Sequence, residues 1–229
     1  MKINLPVPDH STLSKRGKDL KVNLPKKTSQ PLNIVMDSTG LKVYGEGEWK
    51  VRQYGVSKRR TWLKLHIGAN PADGEIQAVL LTENSISDDQ AVAGLLKQIE
   101  QPIVDFAADG AYDKRKVYDS LKAHSPEINI LIPPRKNARI WKHGNSQEER
   151  LKRDENLRYI RKHGRQEWKK NSGYHTRSLA ETTMFRLKTI FGDGLSTRLL
   201  ETQTTQALVR CAALNKMTLL GMPQTYKVA

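Results

Sequence analysis

Leu32-Asn33-Ile34-Val35-Met36-Asp37 is the first stretch of this chain apolar enough to form a buried strand, and Asp37 closes it. Thr61 to Ile67 alternates apolar and polar residues, as a half-buried strand does. Asn70-Pro71-Ala72-Asp73-Gly74 has the residue types of a turn, and Glu75 to Thr82 reads as a third strand. Three strands joined by turns predict an antiparallel meander. A helix over Asp88 to Ile99 follows, with Ala91, Leu95, Leu96 and Ile99 on one face, and Pro102 ends it. Ile103 to Gly110 repeats the pattern of the first strand and again ends in an acid, Asp109. Asp113 is placed to cap a helix from Lys114 to about Ala123, and Asn129 to Ile132 forms a fifth strand stopped by Pro133-Pro134. Two helices close the chain, one ending near Phe191-Gly192 and one over Thr202 to Leu220, with Gly221 and Pro223 as its stop.

Two stretches break this pattern. Residues 1–30 are polar, basic and Pro-punctuated, and read as a linker or tail. Pro133 to Arg177 carries fourteen Lys and Arg against five acids, with Trp141, Tyr159, Trp168 and Tyr174 interleaved. Basic side chains neutralise phosphates and aromatic faces stack unpaired bases, so Arg135, Lys136, Trp141, Arg150, Lys152, Arg153 and Trp168 are candidate DNA contacts. A solvated helical excursion anchored by its tryptophans has the same composition.

Charge sharpens the choice. The formal net charge is +15 with 39 Lys and Arg against 24 acids, and the pI is near 9.9, which points to a polyanionic partner. No apolar run is long enough to span a bilayer, and the single cysteine, Cys211, excludes an internal disulfide. His66 has no second His or Cys at metal-ligand spacing and reads as a sheet residue.

The candidate chemistry lies on acids. Asp37 and Asp109 end strands; Asp105 shares Asp109's strand face, but sites in such sheets sit beyond strand ends. Wound at about 100° per residue, Tyr174, Arg177, Glu181 and Lys188 fall within an arc of roughly 60°. Leu179, Ala180, Leu187, Ile190 and Phe191 gather on another side as the expected core face. Ser178-x-x-Glu181 is also a capping-box pattern, and Arg177 with Glu181 an i,i+4 ion pair.

The spaced set as a whole resembles the DDE transposases of bacterial insertion sequences. Tyr174, Arg177, Glu181 and Lys188 fit their Tyr-x2-Arg-x3-Glu-x6-Lys pattern. Asp37-Ser38-Thr39-Gly40-Leu41-Lys42, Asp109-Gly110-Ala111-Tyr112-Asp113 and Ile132-Pro133-Pro134-Arg135-Lys136-Asn137-Ala138 are similar to the IS-five group. The similarity runs from about residue 7 to about residue 223. It implies an α/β, RNase H-like fold: a mixed five-stranded sheet flanked by helices, with a basic helical insertion at about 138–172 before the last catalytic helix. Residues 31–223 would form the catalytic domain and 224–229 a tail. The resemblance implies Asp37, Asp109 and Glu181 as catalytic, metal-holding acids, Mg²⁺ as cofactor with Mn²⁺ as substitute, and Tyr174, Arg177 and Lys188 on backbone phosphates. The implied partner is double-stranded DNA, with a homodimer in the DNA complex, in a bacterial cytoplasm at the nucleoid. Residues 8–16 resemble the end of a further N-terminal region that recognises element ends, so the chain is expected to be a truncated copy. The alternatives are a binding remnant without catalysis and an RNase H-like nuclease.

Overall fold

The computed structural model describes residues 9–25, 31–43, 62–142 and 151–221. A short helix, α1 (His10–Arg16), precedes the sheet, whose strands are β1 (Leu32–Val43), β2 (Trp62–Ala69) and β3 (Ile76–Glu83). Helix α2 (Asp88–Leu96), strand β4 (Ile103–Ala107), helix α3 (Arg115–His124) and strand β5 (Asn129–Leu131) follow. The basic stretch folds into α4 (Lys152–His163) and α5 (Arg165–Asn171). The chain ends with α6 (Ser178–Phe191), β6 (Gly194–Leu195) and α7 (Leu200–Leu220).

The order β3-β2-β1-β4-β5, with β6 added beside the far end of β1, makes a mixed sheet of six strands. The first three strands are antiparallel, while β4 and β5 run parallel to β1. The sheet therefore has one strand more than the pattern predicted. Two residues, Gly194 and Leu195, are too short to carry a periodicity, and they pair with Lys42 and Val43. The arrangement is consistent with an RNase H-like fold.

Side-chain alternation along β1 divides the core. Ile34 and Met36 face α2 and α3, packing with Val92, Leu95, Phe106, Val117 and Leu121. Val35 and Leu41 face the other layer, with Trp168, Tyr174, Ala180, Met184, Leu187 and Cys211. Each fully buried aliphatic side chain of this kind contributes about 1.5–3 kcal/mol relative to exposure, so both faces have to be covered. Ser87 and Gln90 start α2, the Ser87 backbone N–H donating to Gln90 Oε1 at 2.9 Å.

Two expectations about local structure change. β1 does not stop at Asp37 but continues to Val43, because Asp37 through Lys42 pair with Ile67 through Trp62. Asp37 marks instead the end of the parallel pairing, whose last rung is Val35 with Ala107. Asp113 does not cap α3 with its side chain; Lys114 occupies that position, and the Asp113 carboxylate binds Arg153.

In the leader, Leu24 packs against the core and the Pro25 carbonyl accepts from Asn215 Nδ2 at 3.1 Å. Asn215, fully buried on α7, also accepts from Ile76 N–H at 2.8 Å and donates to Ile76 C=O at 2.8 Å. It satisfies the backbone of edge strand β3 as a neighbouring strand would. Asn215→Ala leaves both Ile76 groups buried without partners, each costing about 1–3 kcal/mol. Urea unfolding is expected to show a loss of about 2–4 kcal/mol, whereas a neutral result would remove this role from Asn215.

Candidate active site

Asp37 reaches the site because the parallel pairing runs out there, and Asp109 because β4 has ended two residues earlier. Asp109 caps a 3-10 turn, Gly110–Tyr112, its Oδ1 accepting from Ala111 N–H at 2.8 Å. A β-carbon on Gly110 would lie 3.2 Å from the Pro133 carbonyl oxygen, so this turn fits closely against the chain leaving β5. Arg135 secures the same turn, donating from Nε to the Gly110 carbonyl at 3.2 Å. Asp105 is elsewhere: it sits within β4, and its Oδ1 accepts from Asn129 Nδ2 at 2.7 Å.

The continuous helix expected from Tyr174 onward is broken in two. Tyr174–Arg177 forms a 3-10 turn entered through Gly173 in the left-handed region, at φ 73°, and α6 starts at Ser178. Its buried face is Ala180, Thr183, Met184 and Leu187; Leu179 and Ile190, expected in the core, are exposed with Phe185. The tighter winding of the first turn rotates everything before Ser178 relative to the helix that follows.

This geometry brings Arg177 between two acids. Its Nη2 donates to Asp37 Oδ2 at 2.8 Å and its Nη1 to Glu181 Oε1 at 2.6 Å. Asp37 also accepts the Ser38 backbone N–H at 2.9 Å. Burial pushes the Asp37 carboxyl above its usual range; Arg177 and the Ser38 N–H oppose that rise, while the charges of Asp109 and Glu181 add to it. Asp37 and Glu181 thus meet on one guanidinium, with the charge of Asp109 near enough to act on Asp37. Arg177 keeps its charge because the carboxylates of Asp37 and Glu181 oppose the burial that works against it.

The donor set suits a hard divalent cation: carboxylate oxygens, partly desolvated, with mutual repulsion that a cation would relieve. Among the described residues no three His, Cys, Asp or Glu side chains are arranged to enclose an ion. The charge between Asp37 and Glu181 is supplied by the guanidinium.

Behind Asp37 lies a polar cluster that the sequence pattern did not reveal. Ser38 Oγ donates to Asp88 Oδ1 at 2.8 Å, and Lys64 Nζ and His66 Nδ1 each lie 3.6 Å from that oxygen. Ser38 thereby joins Asp88 on α2 to the carboxylate of Asp37 through its own backbone N–H. Burial lowers the His66 pKa, against the pull of Asp88, so the ring favours its neutral form. Adjacency to Asp37 was the one available signal for Ser38; Asp88 lies fifty residues away in sequence.

The remaining candidates separate. Lys188 on α6 is half-buried, and Arg135, Lys136 and Lys152 are exposed. Arg150 lies outside the described residues. Trp141 is half-buried, its ring contacted by Arg153 at 3.9 Å and Arg115 at 5.4 Å, with Tyr118 edge-on at 5.3 Å. Two of the expected DNA contacts are buried. Trp168 is 3% exposed and packs on Tyr174 at 5.4 Å, so its faces belong to the core. Arg153 is 4% exposed and holds Asp113 at 2.9 Å, Asp154 at 3.0 Å and the Arg139 carbonyl at 2.7 Å. Asp154 in turn accepts the Trp141 and Lys142 backbone N–H groups. This ion network ties α4 to the domain. Tyr174, at 8% exposure, is held by Trp168, and burial pushes its hydroxyl pKa up to about 12.

Two family models, each describing a transposase DDE domain, match the chain, one over residues 28–216 and the other over residues 1–46. The first spans more than four-fifths of the sequence and includes Asp37, Asp109, Glu181 and Lys188.

The two basic residues that follow Leu151 should behave differently on replacement. Arg153→Ala strands two buried carboxylates and is expected to cost about 3–5 kcal/mol in denaturant unfolding. Lys152→Ala, at an exposed position, should leave stability within about 0.5 kcal/mol. A stable Arg153→Ala protein that had lost DNA affinity would return Arg153 to the binding surface.

Proposed function

The chain belongs to the DDE transposase family, and from that premise we propose that it cleaves and joins DNA strands at the ends of an insertion sequence of the IS-five group. The observation that carries this reading is the meeting of Asp37 and Glu181 on Arg177, with the charge of Asp109 near enough to act on Asp37. The Tyr174, Arg177, Glu181 and Lys188 spacing supports the narrower assignment.

Asp37 and Asp109 would hold a shared Mg²⁺, or Mn²⁺ in its place, and Glu181 would complete a second position. Bound there, such ions activate a water or DNA 3′-hydroxyl and stabilise the leaving oxygen of an in-line displacement. The chain's own groups do the positioning. Ser38 N–H fixes one oxygen of Asp37, and Ala111 N–H fixes one oxygen of Asp109. Asp109 therefore keeps its other oxygen for a ligand, while the other oxygen of Asp37 is held by Arg177. Arg177 has the planar fork that grips a phosphate through two N–H groups, while Lys188 offers a point charge. Tyr174, with its raised pKa, stays a donor at neutral pH and can give its O–H to a phosphate oxygen. Arg135 and Lys136 stand on the chain leaving β5, Arg135 against the Asp109 turn, where a DNA backbone entering the site would pass. Two element ends require two such sites, so a homodimer on DNA is part of the proposal.

Asp109→Asn separates binding from chemistry. It preserves shape and the acceptor for Ala111 N–H but removes a charge that holds metal and repels phosphate. Cleavage of element-end duplex with Mg²⁺ is expected to fall by more than about a thousandfold, with duplex affinity unchanged or higher. Nicking at the full rate by this variant would overturn the assignment of Asp109.

A further inference from the structure

We propose that Arg177 is a displaceable internal cation: it neutralises Asp37 and Glu181 in the free protein, and a DNA phosphate draws it off, so that DNA and divalent metal bind with positive coupling. The inference rests on reading the acids as metal-holding.

One guanidinium spends two nitrogens on two carboxylates, Nη2 on Asp37 at 2.8 Å and Nη1 on Glu181 at 2.6 Å. Its third nitrogen, Nε, is buried with no acceptor. A buried N–H without a partner is costly, so this posture leaves the side chain incompletely satisfied. A phosphate presents several oxygens and takes the Nε and Nη2 edge of a guanidinium side-on, which completes Arg177 and frees Asp37.

A divalent ion cannot simply join the existing arrangement. It would sit against the same oxygens as the guanidinium, and like charges a few ångströms apart repel strongly in a partly desolvated site. Either the ion displaces Arg177 at the expense of both ion pairs, or the phosphate removes it first. Access is from the Glu181 side, whose side chain is 58% exposed against 15% for Asp37. Arg177 occupies the junction of the 3-10 turn and α6, so its long side chain can turn outward without moving the helix. Because coupling is reciprocal, metal must tighten DNA binding by the factor with which DNA tightens metal binding.

The test uses the full chain and Mn²⁺, counted as free ion by electron paramagnetic resonance, alone and with a short duplex, after subtraction of the duplex-only signal. In the free protein Arg177→Gln should bind Mn²⁺ about five- to a hundredfold more tightly than the parent, and the duplex should tighten Mn²⁺ binding in the parent but not in the variant. The parent's duplex affinity, read by fluorescence anisotropy without metal and with Ca²⁺, should rise by the same factor. Arg177→Lys keeps one charge but cannot bridge two carboxylates, so it should fall between the two and stands in if the glutamine variant does not fold. Mn²⁺ affinity in the folded variants no higher than in the parent overturns the inference while leaving the metal reading intact. Absence of any Mn²⁺ site sensitive to Asp109→Asn, with or without duplex, overturns both.

Discussion

Four parallel rungs, from Leu32 beside Ile103 to Val35 beside Ala107, hold β1 against β4, and the pairing then stops. Past that rung β4 turns away through the Asp109 cap while β1 carries on beside β2. Asp37 and Asp109 emerge where the two paths part, each with a backbone N–H already on one oxygen. The packing follows from the same ladder. A strand with buried neighbours on both sides has to bury both faces, which requires α2 and α3 on one side and α5 to α7 on the other. The helix that brings Glu181 is one of these covers. Its Ala180, Met184 and Leu187 are pinned to the sheet, which turns Arg177 and Glu181 toward Asp37.

Crowding acids in this way has an electrostatic cost. Desolvation raises the Asp37 pKa, and the neighbouring charges of Asp109 and Glu181 raise it further. A protein gains nothing in stability from such a group. The Asp37 contribution to folding is fullest at low pH, below the unfolded-state pKa, and is lost as pH rises through the folded value, because the folded state holds its proton longer. Arg177 opposes this from within the chain. The site is therefore poised to take up positive charge, and the protein meets that need with its own guanidinium where no external cation does so.

Much of this arrangement is legible in the sequence. Strand and helix order followed from periodicity, and the acids were placed because two of them end apolar runs and one lies at a fixed spacing from Tyr174 and Arg177. What escaped was whatever depends on pairing. β1 runs on to Val43 because β2 pairs with it, although Ser38-Thr39-Gly40 looks like a turn when read alone. The core face of α6 is rotated from its apolar stripe, with Leu179 and Ile190 outside and Thr183 and Met184 inside, because packing against the sheet decides which side of the helix is covered. The Ser38, Asp88 and His66 cluster joins three separate elements, and no local pattern encodes it.

The basic stretch shows why composition overstates a binding surface. A count of charges treats each Lys and Arg as available to phosphate, yet Arg153 is consumed by Asp113 and Asp154, and Arg177 by Asp37 and Glu181. These are different uses of the same residue type. Arg153 is buried with all three of its guanidinium nitrogens on acceptors, and among the described residues no other cation reaches Asp113, so it holds α4 in place and gains nothing by leaving. Arg177 retains a free donor edge and an exposed acid on one side, so an incoming anion has something to offer it. Net charge draws DNA toward the molecule from a distance. Which arginines then change partners is decided by how completely each is already satisfied, and that is a property of the fold.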